Sequence, residues 1–280
     1  MEKIALITDS SCDLPKEILI ENNIEIIPLQ VIYSNGEFKD GVNITPEEVA
    51  QNLDREIPKT SMPSPSDVLE KINKLKQDGY THCLILTISS GLSGTYNMVK
   101  MVTSEISDMV IEVIDSKILS LGLGLLVLQA SKMIKEKLSF DEIISRINQL
   151  KEEVKGFFIV DTLEYLKKGG RIGRVTAAIG SLLSIKPIIS VDENGKYYTF
   201  NKARGKNQAL DRMLDELRAV INNKKYIVGI PHACVKEEAL KFAEKVKSLG
   251  NIQEIIIGQI SPALLVHSGP GLIGLVFLPM

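Results

Sequence analysis

Short apolar runs alternate with helix-forming segments through the first half of this 280-residue chain, and few architectures accommodate that pattern. Ile4–Asp9 is apolar at nearly every position, as a strand covered on both faces must be, and Leu14–Glu21 follows with helical character. Ile24–Tyr33 reads as a second strand, ended by the turn signal Ser34-Asn35-Gly36-Glu37. Cys83–Ile88 and Val110–Asp115 read as the third and fourth strands, with helical Thr95–Ser104 between them and the apolar helix Leu119–Lys135 after them.

Helix starts are marked by capping chemistry. Thr45-Pro46-Glu47-Glu48 places a capping hydroxyl, a proline at the first helical position and a glutamate that closes a capping box. Ser64-Pro65-Ser66-Asp67 repeats the device, and Ser139-Phe140-Asp141-Glu142 starts a helix to about Val154. Between the first two caps, Pro58–Pro63 reads as a rigid loop exposing the hydroxyls of Thr60 and Ser61. Strand–helix alternation of this kind predicts an α/β domain with a doubly wound, mostly parallel sheet over residues 1–155. Ligands in such sheets bind beyond the carboxyl ends of the strands, where Asp9-Ser10, Ser89–Ser93 and Asp115-Ser116 fall.

The second half has a different rhythm. Gly156–Asp161 reads as a strand, Leu163–Lys168 as a helical turn stopped by Gly169-Gly170, and a helix follows Arg174 to about Ser184. Pro187–Val191 and Lys196–Asn201 flank the hairpin signal Asp192-Glu193-Asn194-Gly195. Helices over Gln208–Asn222 and Glu237–Leu249 alternate with strands Tyr226–Ile230, Glu254–Gly258 and Leu272–Leu278. This predicts an α+β domain over 156–280 with a mixed or antiparallel sheet, and a boundary near Lys155.

Composition excludes several functions. A net charge of -2 argues against a general polyanion binder, and the absence of Trp with 5% aromatics argues against base stacking. The three cysteines, Cys12, Cys83 and Cys234, are far apart and suggest neither a zinc site nor a disulfide framework. No signal peptide is visible, and the longest apolar stretch, Leu119–Ala130, is too short to span a bilayer. The expectation is a soluble cytoplasmic protein.

Four short constellations can carry chemistry. In Ser89-Ser90-Gly91-Leu92-Ser93-Gly94-Thr95 a strand, a glycine-rich turn and a helix bring Ser93 near a helix N-terminus. Ser93 is open to three roles there: hydroxyl donor to an anion, nucleophile, or member of a capping turn. The nucleophile-elbow pattern G-x-S-x-G is broken by Thr95 in its last position. Thr60-Ser61 is either a plain loop or a second pair of donors. Lys167–Arg174 is basic and glycine-rich but lacks the ending of a phosphate-binding P-loop, so Arg171 either favours a helix C-terminus or neutralises an anion. His267, in Val266–Gly271, reads as sitting in a tight loop before the last strand, and no H-x-x-H spacing suggests a metal.

Taken together, Ile7-Thr8-Asp9-Ser10, Thr60-Ser61, Gly91–Asn97, Asp115-Ser116, Gly169–Ile172 and His267–Gly271 resemble the DegV family in order and spacing, over about residues 3–280. The resemblance implies a lipid-binding protein rather than an enzyme, with no cofactor and no catalytic residue of its own. One long-chain fatty acid, such as palmitate, would lie in a buried tunnel. Its carboxylate would be presented to the ATP-binding subunit of a fatty acid kinase, which makes an acyl phosphate for phospholipid synthesis. Carried over by position, the carboxylate contacts fall on Ser61 and Ser93, with Thr60 adjacent. Arg171 and His267 fall in the head-group region and Arg204 at a kinase-docking position. Met62 departs from the pattern, since many members carry Gln there. The apolar helix Leu119–Met133 is a candidate tunnel wall. The competing enzyme reading is a serine hydrolase using Ser93 and His267.

Overall fold

A computed structural model describes residues 2–175, 185–221 and 224–280. The first part of the chain runs β1 (Ile4–Asp9), α1 (Lys16–Glu21), β2 (Ile24–Ile27), β3 (Gln30–Tyr33), β4 (Gly36–Lys39), α2 (Pro46–Asn52), β5 (Lys59–Ser61), α3 (Pro65–Gln77), β6 (His82–Thr87), α4 (Thr95–Thr103), β7 (Val110–Asp115), α5 (Leu121–Lys135) and α6 (Phe140–Glu153). It continues with β8 (Lys155–Ile159), α7 (Glu164–Lys168), β9 (Ile185–Val191), β10 (Tyr197–Arg204), α8 (Gly205–Val220), β11 (Tyr226–His232), α9 (Lys236–Lys247), β12 (Ile252–Gln259), α10 (Pro262–Ser268) and β13 (Ile273–Pro279). The helix expected up to Ser184 and the Asn222 end of the Gln208 helix lie outside the described residues.

The structure is α/β, with a parallel four-stranded sheet, order β2-β1-β6-β7, in the first part and a mixed six-stranded sheet, order β10-β9-β8-β13-β11-β12, in the second. The expected hairpin is present as the antiparallel pair β9–β10. Helices α8 and α9 cover one face of the six-stranded sheet through Leu210, Met213, Leu217, Phe242 and Val246. The other face meets α5, whose Leu121, Leu123 and Leu125 share a core with Ile227 and Val276.

Two local expectations are corrected. Ile24–Tyr33 is two strands in two different sheets, because Pro28 has no N–H for a continuous ladder and the chain turns away at Pro28-Leu29. Residues 59–61 are not a free loop. They form β5, which pairs antiparallel with β3 in a third, three-stranded sheet of order β4-β3-β5. Three residues carry too little pattern to read as a strand without their partner.

The hairpin tip between β9 and β10 is seated on the Ser89–Gly91 turn. The Ser89 hydroxyl donates to the Gly195 carbonyl at 2.9 Å and accepts from the Gly91 N–H at 3.1 Å. A methyl group added at Gly91 would stand 2.4 Å from the Asn194 carbonyl oxygen, so the close approach requires glycine. Replacing Gly91 by Ala is expected to lower the thermal midpoint, with a loss of about 1–3 kcal/mol typical of overpacking, read by calorimetry. An unchanged midpoint would show that the two backbones separate without cost.

Candidate functional site

Five of the side chains singled out in the sequence converge at the mouth of one cavity. Its lining includes Thr60, Ser61, Ser93, Arg171 and His267. Thr60 and Ser61 are delivered by the edge strand β5, whose partners on β3 are Val31 and Gln30. Ser93 lies in the turn before α4, held by N–H bonds from Leu92 and Ser93 to the Ser89 carbonyl at 3.0 and 3.1 Å. Its hydroxyl lies 2.8 Å from the Thr95 hydroxyl. Arg171 follows the two glycines that end α7, where Gly170 adopts φ 68°, and its guanidinium donates to the Gly169 carbonyl at 2.9 Å.

His267 is not in a loop. It occupies the last turn of α10, a helix started by Ser261 as N-cap and Pro262 at its first position. Ser261-Pro262 is the same start signal recognised at Thr45 and Ser64. The His267 Nε2 lies 2.7 Å from the Thr60 Oγ1, and its Nδ1 has no hydrogen-bond partner among the described residues. Gly169 makes room for the ring, since a methyl group there would stand 2.1 Å from Nδ1.

Burial, reinforced by the Arg171 charge, pushes the His267 pKa down to about 4, so the imidazole is neutral at pH 7. A proton on Nδ1 would be a buried donor without an acceptor, so the neutral ring carries its proton on Nε2 and donates to Thr60. The Thr60 hydroxyl then keeps its own proton to offer a ligand at the mouth. Arg171 is the cationic member of the group.

Behind the mouth the cavity is apolar. It has a volume of about 290 Å³, at the lower end of the range for small-molecule sites. Leu29, Leu92, Leu166 and Leu264 line it, and Phe157 and Phe158 continue the wall. The strand register sets its direction. Leu272 precedes β13 on the mouth side, whereas Val276 pairs with Gly156 at the start of β8, farther in. Three serine hydroxyls of the lining are already engaged: Ser190 donates to the Gly156 carbonyl at 2.8 Å, Ser120 donates to Asp13 and Ser268 donates to the Gly269 carbonyl at 2.9 Å. A second depression meets the first at Thr60, Arg171 and His267 and is lined by Arg55, Lys59 and Lys168.

The apolar helix contributes less to the cavity than expected. Leu119 and Ser120, ahead of α5, line the cavity, but Leu121, Leu123 and Leu125 are fully buried in the core. Gly124 serves close packing, with the Cys12 carbonyl 2.7 Å from where a methyl group would stand. Arg204 is not at the mouth. It ends β10, exposed, two residues before Lys206, which bonds the Gly271 carbonyl at 3.3 Å. Met62 lines the cavity rim with its sulfur 3.5 Å from the position of a methyl group on Gly94. The wall residues Phe157, Phe158 and Leu264 carry no signal that separates them from ordinary core.

The His267 ring should begin to protonate only as pH falls towards 4, which a histidine-resolved NMR titration reads directly. A folded-state pKa below the ordinary 6.5 contributes stability that is present above pH 6.5 and lost as pH falls through about 4. Between these limits the wild type should therefore lose stability relative to His267→Gln. A titration near 6.5 would contradict the buried neutral ring.

Known proteins resemble the chain in sequence and in fold. The family model described as an uncharacterised protein of the DegV family matches residues 3–280. A DegV domain-containing protein of Clostridium acetobutylicum is 47% identical over 279 residues, covering 99% of each chain. A DegV family protein of Thermus thermophilus, whose structure is described for fatty acid binding, superposes with a TM-score of 0.93 at 29% identity, covering 99% of this chain and 100% of that one. A stearic acid-binding protein of Eubacterium ventriosum superposes with a TM-score of 0.89 at 31% identity, covering 100% of this chain and 98% of that one. On this sequence match and this fold, the chain belongs to the DegV family.

Proposed function

We propose that the protein binds one long-chain fatty acid, tail inward, with its carboxylate at Thr60, Ser61 and Ser93. The observation that carries this reading is a mainly apolar cavity that brings together the hydroxyls of Thr60, Ser61 and Ser93, one arginine and a neutral histidine, while the hydroxyls of Ser120 and Ser190 on its wall are already bonded to the protein. The description of relatives as binding fatty acids supports the same ligand class. About 14 buried methylenes at about 0.8 kcal/mol each give on the order of 11 kcal/mol gross. Association costs roughly 4–15 kcal/mol against that, so the tail supplies most of the affinity. The head group fixes which end lies at the mouth, at roughly 1.5–3 kcal/mol per hydrogen bond to the charged group.

The carboxylate held there is presented to a separate ATP-dependent fatty acid kinase. An acyl phosphate carries more negative charge and more acceptor oxygens than the acid it comes from, and Arg171 at the meeting of the two depressions suits that change. Arg204, exposed near the Gly271 loop, is the docking residue in this reading. The serine hydrolase reading is less favoured. His267 is engaged with Thr60, and no hydrogen bond joins it to Ser93 or to an orienting carboxylate among the described residues.

Ser93→Ala should weaken palmitate binding by about tenfold or slow acyl-phosphate formation, measured by titration of the delipidated protein and by kinase turnover. Unaltered binding and turnover would remove Ser93 from the site. Arg204→Ala should leave palmitate affinity unchanged and raise the protein concentration at which the kinase is half-saturated. Wild-type kinase affinity in that variant would exclude the docking role.

A further inference from the structure

The small sheet grips α10 at both ends. At the C-terminal end Thr60, on β5, meets His267 at 2.7 Å. At the N-terminal end Asp40, the residue after β4, accepts the Ala263 N–H on Oδ1 at 3.0 Å. Its other oxygen accepts the Ser10 hydroxyl at 2.6 Å, and the Ser10 oxygen in turn accepts the Leu29 N–H at 2.9 Å. The Asp40 N–H closes the loop by donating to the Leu29 carbonyl at 2.9 Å. We propose that Asp40 is a positioning residue for the mouth of the cavity: it bridges the end of β1, the three-stranded sheet and the first turn of α10, and thereby sets His267 against Thr60.

Several features favour this over a simple helix cap. Pro262 has no N–H, so Ala263 offers the first free donor of α10, and one neutral oxygen would satisfy it. Ser261 already provides such a cap within the same helix. Asp40 instead presents two oxygens in divergent directions and joins segments 30 and 223 residues away. It is only 1% exposed, and none of its hydrogen bonds comes from a lysine, arginine or histidine among the described residues. A carboxylate in such a place is costly, and a role in cap chemistry alone does not require one. Asp13 reinforces the clamp one step earlier. It accepts the Ser261 N–H at 2.7 Å and also the hydroxyl of Ser120, a cavity-wall residue. Because α10 is a short, stiff lever with Ala263, Leu264 and His267 all on the cavity, a slip at its first turn displaces the imidazole at its last.

The test pairs a spectroscopic reading with a binding reading, and only the binding reading rests on the fatty-acid proposal. In Asp40→Ala the His267 titration should move from about 4 towards the ordinary 6.5 as the ring leaves Thr60 and its buried site. Palmitate affinity should fall about tenfold, while that for hexadecanol, which has the same tail without a carboxylate, stays within about twofold. Asp40→Asn keeps the side-chain shape but only one acceptor: its oxygen can take the Ala263 N–H, while its amide nitrogen can only donate to the Ser10 oxygen, so both readings should fall between those of wild type and Asp40→Ala. A folded Asp40→Ala protein with His267 titrating as in wild type would overturn the proposal, as would equal losses for palmitate and hexadecanol. If Asp40→Ala does not fold, Ser10→Ala removes one arm of the bridge and is read in the same way. If the wild type binds neither lipid, the fatty-acid reading fails, and the His267 titration still decides the role of Asp40.

Discussion

A carboxylate at the end of a hydrocarbon tail cannot follow that tail out of water unless fixed donors replace its hydration. In the proposed function, that constraint falls on the mouth of the cavity. The parallel sheet brings Ser93, the small antiparallel sheet brings Thr60 and Ser61, and the second part of the chain brings Arg171 and His267. No single element carries enough donors. The bond between Thr60 and His267, 207 residues apart in sequence, joins two of these contributors directly. A preformed arrangement of this kind spares the ordering cost that a flexible mouth would incur on each binding event.

Close backbone approach is the means by which the elements are held. The hairpin tip at Asn194-Gly195 fits on the Ser89 turn because Gly91 has no side chain, and that turn carries Ser93. Gly169 lets the His267 ring lie against the end of α7, next to the backbone that positions Arg171. The glycines that look like helix stops in the sequence therefore also set the distances between donors. Burial follows from the same contacts and keeps the imidazole neutral, which assigns it a hydrogen-bonding role at pH 7 while Arg171 carries the charge.

Much of this was legible in the chain. The strand–helix alternation points to the parallel sheet, Asp192–Gly195 to the hairpin, the capping box at Thr45 is present as read, and the cap read at Ser139 is a full capping box. Singly, the motifs around Ser93, Thr60-Ser61, Arg171 and His267 are weak signals with plain structural alternatives, and it is the resemblance to the DegV family that groups them into one site. What stayed hidden depends on partners distant in sequence. Residues 59–61 become a strand only because β3 is beside them, and the break at Pro28 matters only because two sheets compete for that segment. Asp40 has no local signature, since its acceptors are used by Ser10 and Ala263. The cavity wall was equally silent: Phe157 and Leu264 are core residues until a space opens beside them.

Fatty acid binding requires an acyl tail in the space between the mouth and the Gly156–Val276 pair. Native mass spectrometry of the purified protein, before and after organic extraction, tests this most directly. The expected result is a mass increment of one long-chain fatty acid, lost on extraction and regained on adding palmitate. A chain that carries no lipid and takes up none after extraction would contradict it.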